Sequence, residues 1–190
     1  FIPPIAVGCA WPPTGIDSFS PLYLPALNTF ILLSSGVSLT LAHKKFIYFN
    51  FLKNYVSGLY FFFFKRNGNE KFLEYCGDFI CQKRYEIILG LLLTLIYGVG
   101  FLVLQFYEYQ HSNFSINDGV FGSIFYLMTG FHGMHVIVGI LFLFVCFIRN
   151  GYYHFISEYF NVGFETAIWY WHFVDVVWLF LFVCVYWWGS

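Results

Sequence analysis

Five ionisable side chains lie inside strongly apolar stretches of this sequence, where their chemistry needs a partner. Glu165, His172 and Asp175 share one face of a helix, because an α-helix repeats about every 3.6 residues. His132 and His135 stand three residues apart in an earlier apolar run and therefore also point the same way. Facing each other on neighbouring helices, such residues can ligate a metal or form a polar seam of hydrogen bonds inside the membrane. The glycines around the two histidines favour the polar seam, without a metal, and no H-E-x-x-H motif is present.

Membrane-spanning helices are the elements that must position these residues. The 190-residue chain is 59% hydrophobic and only 10% charged, whereas soluble domains are about 25% charged. An apolar run of about 20 residues crosses the hydrocarbon core of a bilayer. Four such runs occur, at residues 25–47, 85–108, 119–149 and 164–188. The sequence therefore predicts an all-α membrane protein with four transmembrane helices in one bundle, residues 25–190.

The last span organises this bundle. Asp175 lies near its middle, where a charged aspartate costs about 2.5–3.5 kcal/mol on insertion scales. Lipid cannot offset that cost, so the polar stripe should face protein. The aromatic clusters at residues 169–171 and 186–188 are typical of the belts that lie at the two membrane surfaces.

Two segments fall outside the four spans. Residues 1–24 are rich in proline, which cannot continue a regular helix, so they are predicted to form an irregular surface arm. Residues 48–84 alternate aromatic runs with basic residues. A further span at 46–64 is conceivable, but the polar residues at its centre favour an interfacial segment instead.

The ends of the middle spans carry two further predictions. Glu108 ends the second span and is expected at a membrane interface, with a role in proton traffic as the less favoured alternative. Asp118 or Asn117 can cap the third helix, since a side-chain oxygen at this position accepts hydrogen bonds from the first turn.

All nine basic residues follow either the first span or the third. Four spans place both of these loops on one side, which the positive-inside rule assigns to the cytoplasm or the mitochondrial matrix. Arg149, after the third span, is either an ordinary anchor of this kind or a phospholipid head-group ligand. The net charge of −1 and the lack of a basic patch give no indication of nucleic-acid binding.

Catalytic and cofactor motifs are missing from the sequence. It contains no P-loop, no dinucleotide fingerprint and no nucleophile elbow, and its five cysteines are scattered without zinc-type spacing. We therefore expect no catalytic residue, no metal and no cofactor within this chain.

Several blocks together are similar to one family, cytochrome c oxidase subunit III. They occur in family order from the arm to the last residue: W-P-P-T-G-I at 11–16, L-N-T-F-I-L-L-S-S-G-V-S-L-T-L-A-H at 27–43, D-G-V-F-G-S at 118–123, T-G-F-H-G-M-H-V-I-V-G at 129–139, W-Y-W-H-F-V-D-V-V-W-L-F-L at 169–181 and Y-W-W-G-S at the end. This resemblance implies a seven-helix membrane subunit without haem or copper, which lie in partner subunits of the oxidase.

The resemblance also implies a function. The family packs on subunit I of the oxidase, which transfers electrons from cytochrome c to oxygen and pumps protons; subunit III stabilises this core, supports proton uptake and binds phospholipid. Arg149 matches the family arginine that contacts lipid phosphate, and His132, His135 and His172 match positions that ligate no metal. The expected location is the mitochondrial inner membrane, with the basic loops in the matrix and the C-terminus on the intermembrane-space side.

The sequence departs from the family pattern in two ways. It begins between the third and fourth family helices, so it resembles only the C-terminal four-helix part. We therefore expect either an incomplete chain or a separate chain that carries the missing N-terminal helices. Residues 48–84 are longer than the family connection and are interpreted as a matrix-side insertion, which could attach further subunits.

Two other functions remain open from the sequence. Subunit III of a quinol oxidase has the same fold and differs only in the electron donor of the complex. A metal-binding membrane bundle would instead use His132, His135, His172 and Asp175 as ligands.

Overall fold

The computed structural model describes residues 20–59, 70–152 and 162–189. Its four long helices are α1 (Leu24–Leu59), α2 (Glu70–Gln110), α3 (Gly119–Gly151) and α4 (Val162–Leu181), and α4 continues as a π-helix segment, Phe182–Trp187. Each helix contains a segment that is long and apolar enough to cross a membrane: Leu24–Leu52, Gln82–Gln110, Gly119–Gly151 and Val162–Trp187. The predicted fold class, an all-α membrane protein with four spans, is confirmed.

The first two helices are longer than a membrane requires. α1 has 36 residues and α2 has 41, which correspond to about 54 Å and 62 Å at a rise of 1.5 Å per residue. The hydrocarbon core is only about 30 Å thick. Residues 48–59 and 70–84 of the predicted insertion therefore continue α1 and α2 as helix. Residues 60–69, residues 1–19 of the predicted arm and residues 153–161 lie outside the described residues.

Small residues bring α1 and α2 close together. The Ser38 and Thr94 hydroxyl oxygens lie 2.8 Å apart across this contact. At Gly90 a Cβ atom would come within 2.8 Å of the Ala42 Cβ. Small residues on the facing sides of the two helices thus allow close packing, as they do between membrane helices.

A single tryptophan connects all four helices. Trp171 of α4 is fully buried, and its indole Nε1 donates a hydrogen bond of 3.0 Å to the Ser35 hydroxyl of α1. Cβ atoms at Gly98 of α2 and Gly139 of α3 would come within 2.6 Å and 2.9 Å of this indole. The two glycines therefore provide the space that the tryptophan occupies.

The predicted aromatic belts are correct only in part. Trp169, Trp187 and Trp188 are exposed as the prediction requires, whereas Trp171 and Tyr186 are buried in the bundle. Successive helical residues are rotated by about 100°, so neighbouring aromatic residues cannot all face lipid.

Asp118 precedes α3 as predicted, but its side chain makes no hydrogen bond to the first turn of the helix. Its Oδ2 instead accepts a hydrogen bond of 2.6 Å from the Ser115 backbone nitrogen. Gly119 follows with a φ of 76°, a left-handed conformation that glycine adopts without steric cost. The aspartate thus stabilises the turn before the helix.

Candidate functional site

The candidate site is the polar contact between the first and last helices, here called the α1–α4 seam. The two helices run antiparallel, so the beginning of α4 lies beside the middle of α1 and the end of α4 lies beside the beginning of α1. The pairs are His43 with Glu165, Thr40 with His172, Gly36 with Asp175, Ser35 with Trp171 and Thr29 with Trp178.

The shortest hydrogen-bond contact of the seam joins His43 to Glu165. Their Nε2 and Oε1 atoms lie 2.8 Å apart, and both side chains are partly buried. Sequence reasoning chose Glu165 but missed His43. A signal was present, because Gly36, Thr40 and His43 follow helical spacing and so share one face of α1.

Asp175 and His172 form the middle of the seam. His172 Nδ1 lies 3.8 Å from Asp175 Oδ2, and His172 Nε2 lies 3.5 Å from the Thr40 hydroxyl. Gly36 allows the aspartate to approach α1, because a Cβ there would come within 2.8 Å of Oδ2. Asp175 Oδ1 is buried and has no hydrogen-bond partner among the described residues.

The two histidines of α3 line a different cavity from His172 and Asp175, and His132 meets the seam only at the Trp178 ring. His132 is buried against the rings of Phe101 and Trp178, at centroid distances of 5.7 Å and 5.2 Å. Neither of its ring nitrogens has a hydrogen-bond partner within the described part of the chain. His135 is exposed, and its Nδ1 lies 3.1 Å from the Tyr170 hydroxyl.

The five residues predicted as one polar seam are therefore divided between two sites. Glu165, His172 and Asp175 face α1, whereas His132 and His135 line a cavity of about 260 Å³ between α3 and α4. Within residues 20–59, 70–152 and 162–189, no group of three or more His, Cys, Asp or Glu side chains is arranged to hold a metal ion.

Several basic residues lie at one end of the bundle. Arg84 is buried, and its Nε donates a hydrogen bond of 3.1 Å to the Asn150 carbonyl, while its Nη2 also contacts the Gly151 carbonyl. These carbonyls end α3 and lack partners within that helix. From the sequence, Arg84 is only one of the basic residues that indicate the membrane topology. No local pattern predicts its contact with Asn150, 66 residues further along the chain.

Arg149 lies at the same end, in the last turn of α3. It is half-buried, and its Nη1 would be 3.7 Å from a Cβ at Gly163, the second residue of α4. Lys45 and Glu86 join α1 and α2 nearby, with 3.3 Å between Nζ and Oε2. One end of the bundle is therefore basic.

Glu108 lies near the end of the second span, Gln82–Gln110, but its side chain points into the bundle and not toward lipid or water. Its side chain is fully buried, and its two carboxyl oxygens have no hydrogen-bond partner among the described residues. It belongs to a buried polar group in which Gln105 accepts from Asn28 at 3.4 Å and donates to the Tyr186 hydroxyl at 3.3 Å. Tyr186, in the π-helix segment, thus contacts the last part of α2 through Gln105.

Four apolar helices joined by polar pairs at their contacts define a multi-pass membrane bundle. A sequence model of the family described as cytochrome c oxidase subunit III matches residues 1–65 and 74–190. The chain belongs to this family. The family model leaves residues 66–73 unmatched. They lie inside the predicted insertion 48–84 and form only a small part of it.

Curated relatives have similar sequences over nearly the whole chain. Cytochrome c oxidase subunit 3 of Patiria pectinifera is 44% identical over 188 residues, which are 99% of this chain and 59% of that protein. The proteins of the same name from Canis lupus and Equus caballus are each 46% identical over 184 residues, 97% of this chain and 58% of theirs. The chain thus spans less than two thirds of the length of these relatives.

Proposed function

We propose that this chain is the C-terminal part of subunit III of a mitochondrial terminal oxidase, a non-redox subunit of the complex that transfers electrons from cytochrome c to oxygen and pumps protons. The observation that supports the proposal best is the family match. It runs through all four spans, and the structure packs those spans into one bundle. Haem and copper belong to partner subunits in this proposal.

The role proposed for the chain itself is to stabilise the catalytic subunit I. Large apolar side chains stay exposed along the spans, among them Phe30, Phe131 and Phe180. Such side chains suit contacts with lipid or with the helices of other oxidase subunits. The proposal needs no catalytic residue in this chain.

The basic end of the bundle supports a proposed orientation. Arg84 and Arg149 lie at the end of α3, and Lys44, Lys45 and Lys83 outnumber their acidic partner Glu86, so that positive charge is in excess at one end of the bundle. The positive-inside rule places this end in the matrix. An even number of spans then places the C-terminus on the intermembrane-space side of the inner membrane.

Co-purification tests the function directly. An affinity tag on this chain should recover a complex from inner membranes that contains haem and oxidises reduced cytochrome c. Separation of the chain from the haem on native electrophoresis would overturn the proposal. A complex that oxidises quinol but not cytochrome c would instead show a quinol oxidase.

We further propose that Arg149 binds an anionic phospholipid at the basic end. Arginine contacts a phosphate group through two parallel hydrogen bonds, and the half-buried position between α3 and α4 brings it to the membrane surface. In the purified complex, Arg149→Ala should reduce the amount of bound anionic phospholipid, measured by mass spectrometry of extracted lipid. Lys83→Ala, at the same end, is the matched control. Equal lipid content in both variants would contradict this role.

A further inference from the structure

The cavity between α3 and α4, with a volume of about 260 Å³, opens to the outside of the bundle. Apart from two histidines, its lining is apolar and consists of Met128, Phe131, Phe173, Val174, Val177 and Leu181. Three of these side chains, Met128, Phe131 and Phe173, are exposed. A molecule dissolved in the surrounding lipid can therefore enter the cavity without passing between packed helices.

His135 is the polar side chain of this cavity that a ligand can reach. It is exposed, whereas His132 is buried. The Nδ1 atom of His135 lies 3.1 Å from the Tyr170 hydroxyl, and its Nε2 makes no hydrogen bond to another described residue. When the hydroxyl donates to Nδ1, the neutral imidazole carries its proton on Nε2. The cavity then offers one donor to an acceptor on a ligand.

The depth of this donor in the membrane limits the kind of ligand. His135 is the seventeenth of the 33 residues of the span Gly119–Gly151, and Val174 is the thirteenth of the 26 residues of Val162–Trp187. The cavity therefore lies near the middle of both spans. A charged group is costly at this depth, so phosphate and carboxylate head groups stay at the membrane surfaces. The ligand must be uncharged and soluble in lipid, and it must carry an acceptor.

The size and the lining of the cavity favour a ring compound. An apolar cavity of about 150 Å³ holds one benzene molecule, so about 260 Å³ suits a single ring with substituents. Aromatic side chains such as Phe131 and Phe173 pack well against another ring. An acyl chain could fill the same space, but it would leave His135 Nε2 without an acceptor. A benzoquinone ring is flat and uncharged, and its carbonyl oxygens accept hydrogen bonds.

We propose that the cavity between α3 and α4 binds the head group of a lipid-soluble quinone, and that His135 Nε2 donates a hydrogen bond to one of its carbonyl oxygens. The apolar tail of the quinone leaves the cavity through its open side and lies in the lipid. All of the lining residues belong to this chain. The site therefore goes beyond the proposed function and does not depend on the electron donor of the oxidase.

Photoaffinity labelling of native inner membranes tests the proposal. The probe is an azido-benzoquinone with a short isoprenoid tail, and mass spectrometry of the purified chain locates and quantifies the label. We expect label on the α3 and α4 residues that line the cavity, and an excess of the unlabelled quinone should displace most of it. Label that the excess does not displace, or label only outside the cavity, would overturn the proposal.

Two pairs of variants test the hydrogen bond and the cavity separately. His135→Phe keeps a ring but removes the donor, so at a subsaturating probe concentration it should lower the label about fivefold, as the loss of one hydrogen bond does. His111→Phe makes the same change at an exposed histidine outside the cavity and should leave the label unchanged. Val177→Phe fills the cavity and should also lower the label, whereas Val183→Phe, outside it, should not.

The label is normalised to the amount of this chain in the membrane, and the haem content of the purified complex confirms assembly. Equal labelling of His135→Phe and His111→Phe would overturn the role of His135. Equal labelling of Val177→Phe and Val183→Phe would show that the quinone does not occupy the cavity.

Discussion

The Trp171 indole and the Ser35 hydroxyl meet at 3.0 Å in the interior of the bundle, joining the last helix to the first. Seven residues further along α4, Trp178 repeats the arrangement with Thr29 of α1, again at 3.0 Å. Two helical turns separate the tryptophans, so both indoles leave α4 on nearly the same face. The two hydrogen bonds fix the register of α4 against α1.

The first prediction concerns the space around Trp171. Gly98→Ala and Gly139→Ala should each destabilise the bundle by about 1–3 kcal/mol, as overpacking does, because the new Cβ would lie within 2.6 Å or 2.9 Å of the indole. Gly133→Ala is the control, since no heavy atom lies within 4 Å of its Cβ position. Denaturant unfolding in detergent measures the difference. Equal stability of all three variants would contradict the packing described for Trp171.

The second prediction concerns the hydrogen bond itself. A double-mutant cycle of Trp171→Phe and Ser35→Ala should give a coupling energy near 0.6 kcal/mol, the average for hydrogen bonds between membrane helices. Trp171→Phe combined with Ser34→Ala is the comparison, because Ser34 bonds a carbonyl of α1 as Ser35 does, whereas Trp171 donates to Ser35. A coupling energy as large in the comparison cycle would show that the tryptophan acts through packing alone.

The third prediction concerns the end of α3. Arg84→Met keeps much of the packing volume but removes the donors to the Asn150 and Gly151 carbonyls. Unsatisfied buried groups cost about 1–3 kcal/mol. The Asn150 carbonyl still accepts from the Tyr152 backbone N–H and Gly151 is exposed, so the free energy of unfolding should fall by an amount in the lower half of this range. Lys83→Met should cost less than about 1 kcal/mol, because its ion pair with Glu86 is partly exposed and Glu86 keeps Lys45 as a second partner. The reverse order of the two variants would count against the helix-ending role of Arg84.

The fourth prediction contrasts two polar residues inside the membrane. His132→Leu should change stability little, because its ring nitrogens have no partner among the described residues and its neighbours are aromatic. Glu165→Leu should be clearly destabilising, because it leaves His43 without its partner at 2.8 Å. Thermal unfolding of the purified complex compares them. A larger loss for His132→Leu would indicate a ligand or partner at that histidine.

The sequence predicts the spans well because their signal is local. Runs of about 20 apolar residues identify membrane helices whatever their neighbours, and the four spans follow from this pattern alone. The same reasoning identified the polar face of α4, since Glu165, His172 and Asp175 share it by helical spacing alone.

The partners across helices could not be predicted in the same way. Spacing shows that His132 and His135 share a face, but not which helix that face meets, and the structure places them apart from Glu165, His172 and Asp175. Arg84 and Glu108 illustrate the same limit. Both have charged side chains near the ends of a span, and only the packing of neighbouring helices buries them.

The hydroxyl groups of α1 bear on the order in which the protein assembles. Thr29, Ser35 and Thr40 each donate a hydrogen bond to a backbone carbonyl of α1 itself, at 2.7–2.8 Å. The first span can therefore enter the lipid bilayer with these polar groups satisfied, before α4 has been synthesised. When α4 arrives, the hydroxyl oxygens of Thr29 and Ser35 still have lone pairs that accept from its tryptophans. α1 is thus stable in the bilayer before α4 is synthesised and completes its contacts.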